Sequence, residues 1–438
     1  MKYFITIFFI ILIIPLAVAQ ESKRESNYFE IAKGYTVKVK TRVAYPFRKD
    51  NRGAFRGAGF LVNKKTGWII TNAHVSSRNP AKLEVAFKDQ KFVDAQLIYV
   101  DMLLDLAVIS ISSDKIPVNS KVASLDCDKK PVIGSPVGAF GHPFSLSFSG
   151  TRGIVSGEKY RWGRTWVQTD APINSGNSGG PLISLETGKV IGISSATLSK
   201  SRTEGLNFAV PMIQVCKVIN LLKSGMNPSP SYLPVGFAYD EDNNTELVAA
   251  VIYKRQSVAW PLQIGDRLIS LANNPKLVFK NQAMLIHELR GIRGKVDVVV
   301  ERNKKKKTLS IISKPRDSLM ERVGVHFSGI VLALEKYRDD EEANPRGLPL
   351  IQDVARASIG RSAGVGAYEY IISLDGITMT NPNKICRFLK RIEESNKKVK
   401  LITKESGWTY RSHSKYHAYE LEVSDVKLVG PSSPSECS

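Results

Sequence analysis

A chain of 438 residues with 43% hydrophobic content is too apolar to be disordered and too long for a single core, which points to about three globular domains. Its 62 Lys and Arg against 41 Asp and Glu give a net charge of +21, but the basic residues are dispersed and form no helical stripe. Specific nucleic-acid binding is not expected; peripheral contact with an anionic membrane surface stays open.

Met1 and Lys2 precede an apolar run from Tyr3 to Ala19 that closes in Ala17-Val18-Ala19. A basic start, an apolar centre and a small-x-small end describe a secretory signal peptide over 1–19, with the mature chain starting at Gln20. An uncleaved anchor is the alternative, because the run just reaches the lower limit for a membrane span. Export would put Cys127, Cys216, Cys386 and Cys437 in an oxidising compartment, where three pairings are possible and spacing does not choose among them. His413 and His417 sit in strand-like alternation and no metal-ligand spacing occurs, so neither a metal nor a cofactor is expected.

From about Tyr28 the pattern is one of short strands and turns. Residues 59–62 and 68–71 flank Asn63-Lys64-Lys65-Thr66-Gly67 as a hairpin, followed at once by Thr71-Asn72-Ala73-His74-Val75. Strands over 83–87 and 92–100 lead to Asp105-Leu106-Ala107-Val108-Ile109, an acid at the mouth of an apolar strand; Asp101 reads as a turn residue. Further on, Asn174-Ser175-Gly176-Asn177-Ser178-Gly179-Gly180-Pro181 sets a serine among glycines. Such a loop can present a hydroxyl and aim backbone N–H groups at one point, as acyl transfer requires. Each piece alone reads as a turn. His, Asp and Ser in that order are harder to dismiss.

These three stretches resemble the catalytic motifs of the HtrA/Deg family of chymotrypsin-fold serine proteases. Gln168-Thr169-Asp170-Ala171-Pro172-Ile173 and Leu206-Asn207-Phe208-Ala209-Val210-Pro211 resemble that family too. The resemblance covers roughly residues 30–225 and implies a mainly β chain whose protease domain, 20–226, is a double β-barrel. It implies Ser178 as nucleophile, His74 as general base and Asp105 as the group that orients it, with Gly176, Asn177 and Ser178 as oxyanion donors. The segment Ala171-Pro172-Ile173 before the serine has no acid at the position that would make a trypsin-like pocket, and the strand Ile191-Gly192-Ile193 is apolar. With Ile173, these residues predict a small hydrophobic pocket favouring Val, Ile, Ala or Leu. His142, Pro143 and Phe144 fall where family members carry an activation loop, with His142 as a loop residue rather than a second base.

A helix entered at Pro211, with Val215, Val218, Ile219 and Leu222 as its apolar set and Gly225 as its stop, closes the barrels. Asn227-Pro228-Ser229-Pro230-Ser231 then reads as a linker, 227–231. Beyond it is a faint repeat: Ser257-Val258-Ala259 leads to Gly265-Asp266-Arg267-Leu268, and Ser358-Ile359-Gly360 leads at the same interval to Gly366-Ala367-Tyr368-Glu369-Tyr370. Helical stretches over 282–290 and 383–394 and alternating hairpins follow. These look like two α+β PDZ domains of the HtrA type, 232–314 and a divergent 320–424, before a flexible tail at 425–438. Their strand-addition loops would be Val235-Gly236-Phe237, next to a Pro234 that lacks an N–H, and Val323-Gly324-Val325.

The resemblance implies an exported, periplasmic or envelope, ATP-independent serine endopeptidase acting on unfolded or misfolded proteins and peptide C-termini. It also implies a homo-trimer or multiples, with Tyr28, Phe29 and Tyr35 either as subunit contacts or as core. The rival readings are a chaperone or PDZ scaffold with an idle protease, and a membrane-anchored protease in envelope stress signalling.

Overall fold

A computed structural model describes residues 23–437 except 49, 79, 143–147, 162, 196–205, 239–245, 254–259, 335–346, 406–414 and 432–434. The expected leader lies outside the described residues. The chain divides into two compact units, one of 1–40, 55–76 and 83–226, the other of 41–54, 77–82 and 227–438.

A helix α1 (23–33) is followed by six strands, β1 (Thr36–Val43), β2 (Gly53–Asn63), β3 (Trp68–Thr71), β4 (Lys82–Ala86), β5 (Val93–Asp101) and β6 (Leu106–Ser110). They close into a barrel in the order β1-β2-β3-β6-β5-β4. β6 lies between β3 and β5, and Leu106, Ala107, Val108 and Ile109 are all fully buried. An uninterrupted apolar run is what a strand covered on both faces requires. The β2–β3 hairpin turns through Gly67 at φ +63°, where an added Cβ would fall 1.9 Å from the Ile111 carbonyl oxygen, so only glycine fits.

A second barrel closes in the order β10-β11-β12-β9-β8-β7. Its strands are β7 (Pro136–Gly141), β8 (Ser149–Arg161), β9 (Arg164–Thr169), β10 (Pro181–Ser184), β11 (Val190–Ser195) and β12 (Asn207–Pro211). After Pro211 comes α3 (Met212–Lys223), which buries Val215, Val218 and Ile219 and stops before Gly225 at φ +68°. The double barrel expected from the motifs is therefore present. Cys127 is joined to Cys216 on α3, which resolves the pairing that spacing left open.

Tyr28, Phe29 and Tyr35 are engaged within the chain. The Phe29 ring lies against Phe140 at 6.3 Å and fills the space over Gly138 and Gly150, where a Cβ would come within 2.7 and 2.4 Å of it. Tyr35 is 2% exposed, and the Tyr28 hydroxyl donates to the Glu186 carbonyl at 3.3 Å. These are contacts within the chain.

The second unit holds two further sheets. Five strands run in sequence order: β13 (Val235–Phe237), β14 (Leu247–Ile252), β15 (Arg267–Leu271), β16 (Gly294–Arg302) and β17 (Lys305–Ser313), with α4 (Gln282–Leu289) after β15. Seven strands form the last sheet: β18 (Gly324–Phe327), β19 (Ile330–Leu334), β20 (Pro349–Val354), β21 (Glu369–Leu374), β22 (Lys398–Glu405), β23 (Tyr416–Glu422) and β24 (Lys427–Val429). A short helix α5 (Ile359–Ser362) precedes β21, and α6 (Pro382–Glu394) follows it.

Ser257-Val258-Ala259 of the sequence repeat lies outside the described residues, but the two halves match in other hydrogen bonds. Asn281 caps α4 by accepting from the Met284 N–H, and Asn381 caps α6 by accepting from the Lys384 N–H, both at 3.1 Å. Leu271–Asn274 and Leu374–Ile377 form matching bridges after β15 and β21. Each half also buries one carboxylate at the start of its central strand. Asp266, 1% exposed, is forked by Arg302 at 2.7 Å; Glu369, 7% exposed, meets Thr403 and the Tyr419 hydroxyl. Both sheets are compatible with PDZ-like domains.

Two boundary expectations need correction. The segment 227–231 is not a free linker: Tyr232 and Arg316 N–H groups bond to Lys314 and Pro230 carbonyls at 2.8 and 2.9 Å, and the buried Arg290 donates to the Pro228 carbonyl at 2.6 Å. Nor is 425–438 a loose tail, since β24 joins the last sheet beside β18 and Cys437 is bonded to Cys386 on α6.

Within the second unit, Asp50 lies between two guanidinium groups, 2.5 Å from Arg78 and 2.7 Å from Arg322, with its side chain 2% exposed. Arg322 also lies over the Phe47 ring at 4.7 Å. A carboxylate so placed is hard to remove, because two largely buried cations lose a common counter-charge. Asp50→Ala is expected to lower unfolding stability by about 3 kcal/mol. Denaturant unfolding of the parent and variant checks this, and a difference within about 0.5 kcal/mol would contradict it.

Candidate active site

β3 ends at Thr71 and the chain turns directly into α2 (Ala73–Ser76), which carries His74. Asn72 holds the junction: its Nδ2 donates to the Asp105 carbonyl at 3.0 Å, and its own carbonyl takes the Val75 and Ser76 N–H groups. Ala73 and Val75 are buried, while the His74 side chain stays 44% exposed. The short helix thus anchors itself through two apolar residues and leaves the imidazole at the rim.

Asp105 stands immediately before β6 at φ +56°, a left-handed conformation that aspartate tolerates better than most residues. Its side chain is 8% exposed. Oδ1 accepts the His74 backbone N–H at 3.1 Å, and His74 Nδ1 lies 3.0 Å from Oδ1 and 2.9 Å from Oδ2. Oδ2 also accepts from Ser195 Oγ at 3.1 Å. A carboxylate only accepts, so Nδ1 carries the proton and Nε2 becomes the basic nitrogen of the neutral ring.

Ser178 lies in the turn that leads into β10. Its carbonyl accepts the Ala58 N–H at 2.8 Å, Gly179 N–H donates to Ser194 at 2.8 Å, and Ser194 N–H donates to Gly180 at 2.8 Å. The serine is thereby strapped to β2 and to β11. Gly179 adopts φ +86°, and a Cβ there would fall 2.2 Å from the Ala58 carbonyl oxygen and 2.3 Å from Thr71 Oγ1. Gly176 adopts φ +107°.

One of the three expected oxyanion donors is removed by the turn itself. Asn177 N–H is bonded to the Asn174 carbonyl at 2.9 Å, and an N–H closing a turn is not available to a substrate oxygen. The Asn177 side chain is buried as well, and its amide has no hydrogen-bond partner among the described residues.

The expected pocket residues are apolar and buried in the second barrel. Ile173 and Ile191 pack with Ala171, Leu182 and Ala209 in the core of the second barrel, and Ile193 is fully buried. At Gly192 a Cβ would meet the Val210 carbonyl oxygen at 2.9 Å. All four positions are buried. Residues 196–205, which continue β11, lie outside the described residues, as do Pro143 and Phe144 of the expected activation loop.

His142 is 5% exposed and donates from Nε2 to the Val37 carbonyl at 3.1 Å, with its ring edge-on to Phe148. Burial, helped by Lys38, pushes its pKa down to about 4, so it is a neutral packing group and not a second base. Asp101 is a buried turn-holder, accepting from Leu104 N–H at 2.8 Å and the Tyr99 hydroxyl at 3.2 Å.

Two neighbours of the triad escaped the sequence reading. Ser195 reaches Asp105 across 90 positions of sequence. Arg164 lies over the Trp166 ring at 5.0 Å and donates to the Met102 carbonyl at 3.3 Å. Burial pushes its guanidinium pKa down, and the carboxylates of Asp105 and Asp101 pull it back up. No local spacing could have flagged either residue, because β9 and β11 bring them to Asp105 only when the barrels close.

Two closed barrels with this constellation define the trypsin-like class, and residues 57–193 match the trypsin-like peptidase domain. The chain is 31% identical over 281 residues to a probable periplasmic serine endoprotease, DegP-like, of Pseudomonas fulva, covering 60% of this chain and 56% of that one. It is 28% identical over 380 residues to a protein of the same description from Chlamydia trachomatis, covering 80% and 72%. The chain spans about half the length of several curated relatives it matches. Among solved structures, the serine endoprotease from Yersinia pestis aligns with TM-score 0.50, and the HtrA-type protease AlgW with tripeptide aligns with TM-score 0.54. Both are 25% identical and cover 67% of this chain, and 98% and 97% of theirs. The chain thus carries a trypsin-like peptidase domain and is similar to DegP-like and HtrA-type serine endoproteases.

The buried histidine sets a pH dependence of stability. Above about pH 6.5, His142 is neutral in both folded and unfolded chains and its contribution is complete; as the pH falls toward about 4, the unfolded chain binds a proton that the folded chain excludes. A contribution of order 3 kcal/mol is lost across that window. The stability difference between the parent and His142→Gln should therefore shrink as pH falls from 7 to 4. A difference that stays flat would contradict the assignment.

Proposed function

We propose that the chain is a serine endopeptidase in which Ser178 is the nucleophile, His74 the general base and then acid, and Asp105 the orienting carboxylate. The observation that carries this reading is the two-point hold of Asp105 on His74, through the backbone N–H and Nδ1 together. With Nδ1 protonated, Nε2 accepts the Ser178 proton as Oγ attacks the scissile carbonyl carbon. The imidazolium so formed is stabilised by the buried carboxylate and returns the proton to the leaving amine. The N–H groups of Gly176 and Ser178 receive the tetrahedral oxyanion. Water then repeats the sequence on the acyl-enzyme. No nucleotide enters these steps, which fits an ATP-independent protease.

The relatives' description as periplasmic endoproteases supports an exported location in the bacterial periplasm or envelope. Unfolded or damaged proteins are the substrates proposed here. The two C-terminal sheets would capture substrate strands and regulate the protease, and assembly into trimers or multiples is part of the same proposal. Cleavage after Val, Ile, Ala or Leu is part of the same proposal, supported by the apolar, buried character of Ile173, Ile191 and Ile193.

Ser178→Ala is expected to cut an unfolded model protein on the order of 10⁴-fold more slowly than the parent. Fragment masses read the termini as well as the rate. Undiminished cleavage by the variant would exclude Ser178 as nucleophile, and termini dominated by Lys or Arg would exclude the apolar pocket.

A further inference from the structure

The loop Val323-Gly324-Val325 was expected to lead into an open strand edge. It leads into β18, which has neighbours on both sides: β19 along one edge and β24 along the other, with Gly324 opposite Val429, Val325 opposite Leu428 and His326 opposite Lys427. By contrast β13, which is the Val235-Gly236-Phe237 stretch itself, pairs among the described residues with β14 alone.

The C-terminal segment covers the β18 edge in the manner of a ligand. It is short, antiparallel and last in the chain, and it lies at the edge of the sheet, where a strand can leave without breaking a central ladder. Leu428 exchanges both backbone hydrogen bonds with Ser435 at 2.9 Å. Since backbone groups alternate along a strand, those of Lys427 and Val429 face β18. Val429 is fully buried with Phe47 and Ala333 on one face, and Leu428 packs against the main core on the other. Beyond the strand the chain turns back, and Cys437 is bonded to Cys386 on α6.

We propose that β24 is an internal ligand: Lys427–Val429 occupies the strand-accepting edge of β18, and the Cys386–Cys437 bond latches it there. The edge opens to an extended apolar peptide only when the latch is released. This rests on the strand-addition reading of the C-terminal domains and not on the protease reading. A tethered segment competes at an effective concentration on the order of 1 mM, so an incoming peptide at micromolar levels is excluded while the tail is held.

Hydrogen–deuterium exchange of the full chain in the Ser178→Ala background separates the outcomes without any proteolysis. The probe is a synthetic peptide with the sequence of 425–437 carrying Ser in place of Cys437, added at 100 μM. In a chain lacking 427–438, β18 amides should exchange at least about 10-fold faster than in the oxidised parent, and the peptide should restore their protection. The peptide should change nothing in β18 of the oxidised parent, and the Cys386→Ser/Cys437→Ser chain should fall between the two. Equal protection of β18 by peptide in the oxidised parent, or none in the folded truncated chain, overturns the proposal. If the truncated chain does not fold, the Cys386→Ser/Cys437→Ser chain decides. Faster exchange confined to β24 and β18 supports an internal ligand, and exchange unchanged or spread through β19–β22 overturns it.

Discussion

The catalytic half of the molecule depends on one buried carboxylate. Asp105 receives the His74 N–H, the His74 ring and the Ser195 hydroxyl within 3.1 Å, while its own carbonyl receives Asn72. The contacts come from two distant places: His74 on α2, through both its backbone and its ring, and Ser195 at the end of β11 in the other barrel. A carboxylate withdrawn from water is stable as an anion only when its lone pairs are so occupied. Both barrels must close for that to happen, so the reactivity of the histidine is set by the tertiary fold.

Much of this was legible in the sequence because the chemistry leaves local marks. The stretch Thr71 to Val75, the acid before the Leu-Ala-Val strand and the glycines around Ser178 each solve a backbone problem at one place. Gly179 has no room for a side chain, and Asp105 must sit in a left-handed conformation before a strand buried on both faces. Ser195 and Arg164 left no such mark, since an isolated serine or arginine in a strand carries no sign of which carboxylate it will meet. Asn177 was misread for a related reason: a motif shows which residues surround the serine, but the Asn174 carbonyl decides which N–H closes the turn. Ile173 and Ile191 were correctly read as apolar.

In the C-terminal half the repeat was legible through its helices, because Asn281 and Asn381 cap them at equivalent places and the apolar spacing follows. What could not be read was the pairing of strands distant in sequence. Lys427-Leu428-Val429 is too short to announce a strand, and it becomes one only because β18 offers it a ladder and Cys437 meets Cys386. The two sheets differ at this edge: among the described residues β13 pairs with β14 alone, whereas β18 is paired with both β19 and β24.

The most direct test of the central claim is covalent. A fluorophosphonate reacts with a serine hydroxyl only when a neighbouring base and an oxyanion hole activate it, so the adduct reports the assembled site and not merely the presence of a serine. Peptide mapping of the treated chain should show one phosphonylated residue, Ser178, and the adduct should be absent from a folded Asp105→Ala chain. Labelling at another serine, or labelling of Ser178 undiminished when Asp105 is removed, would contradict the account.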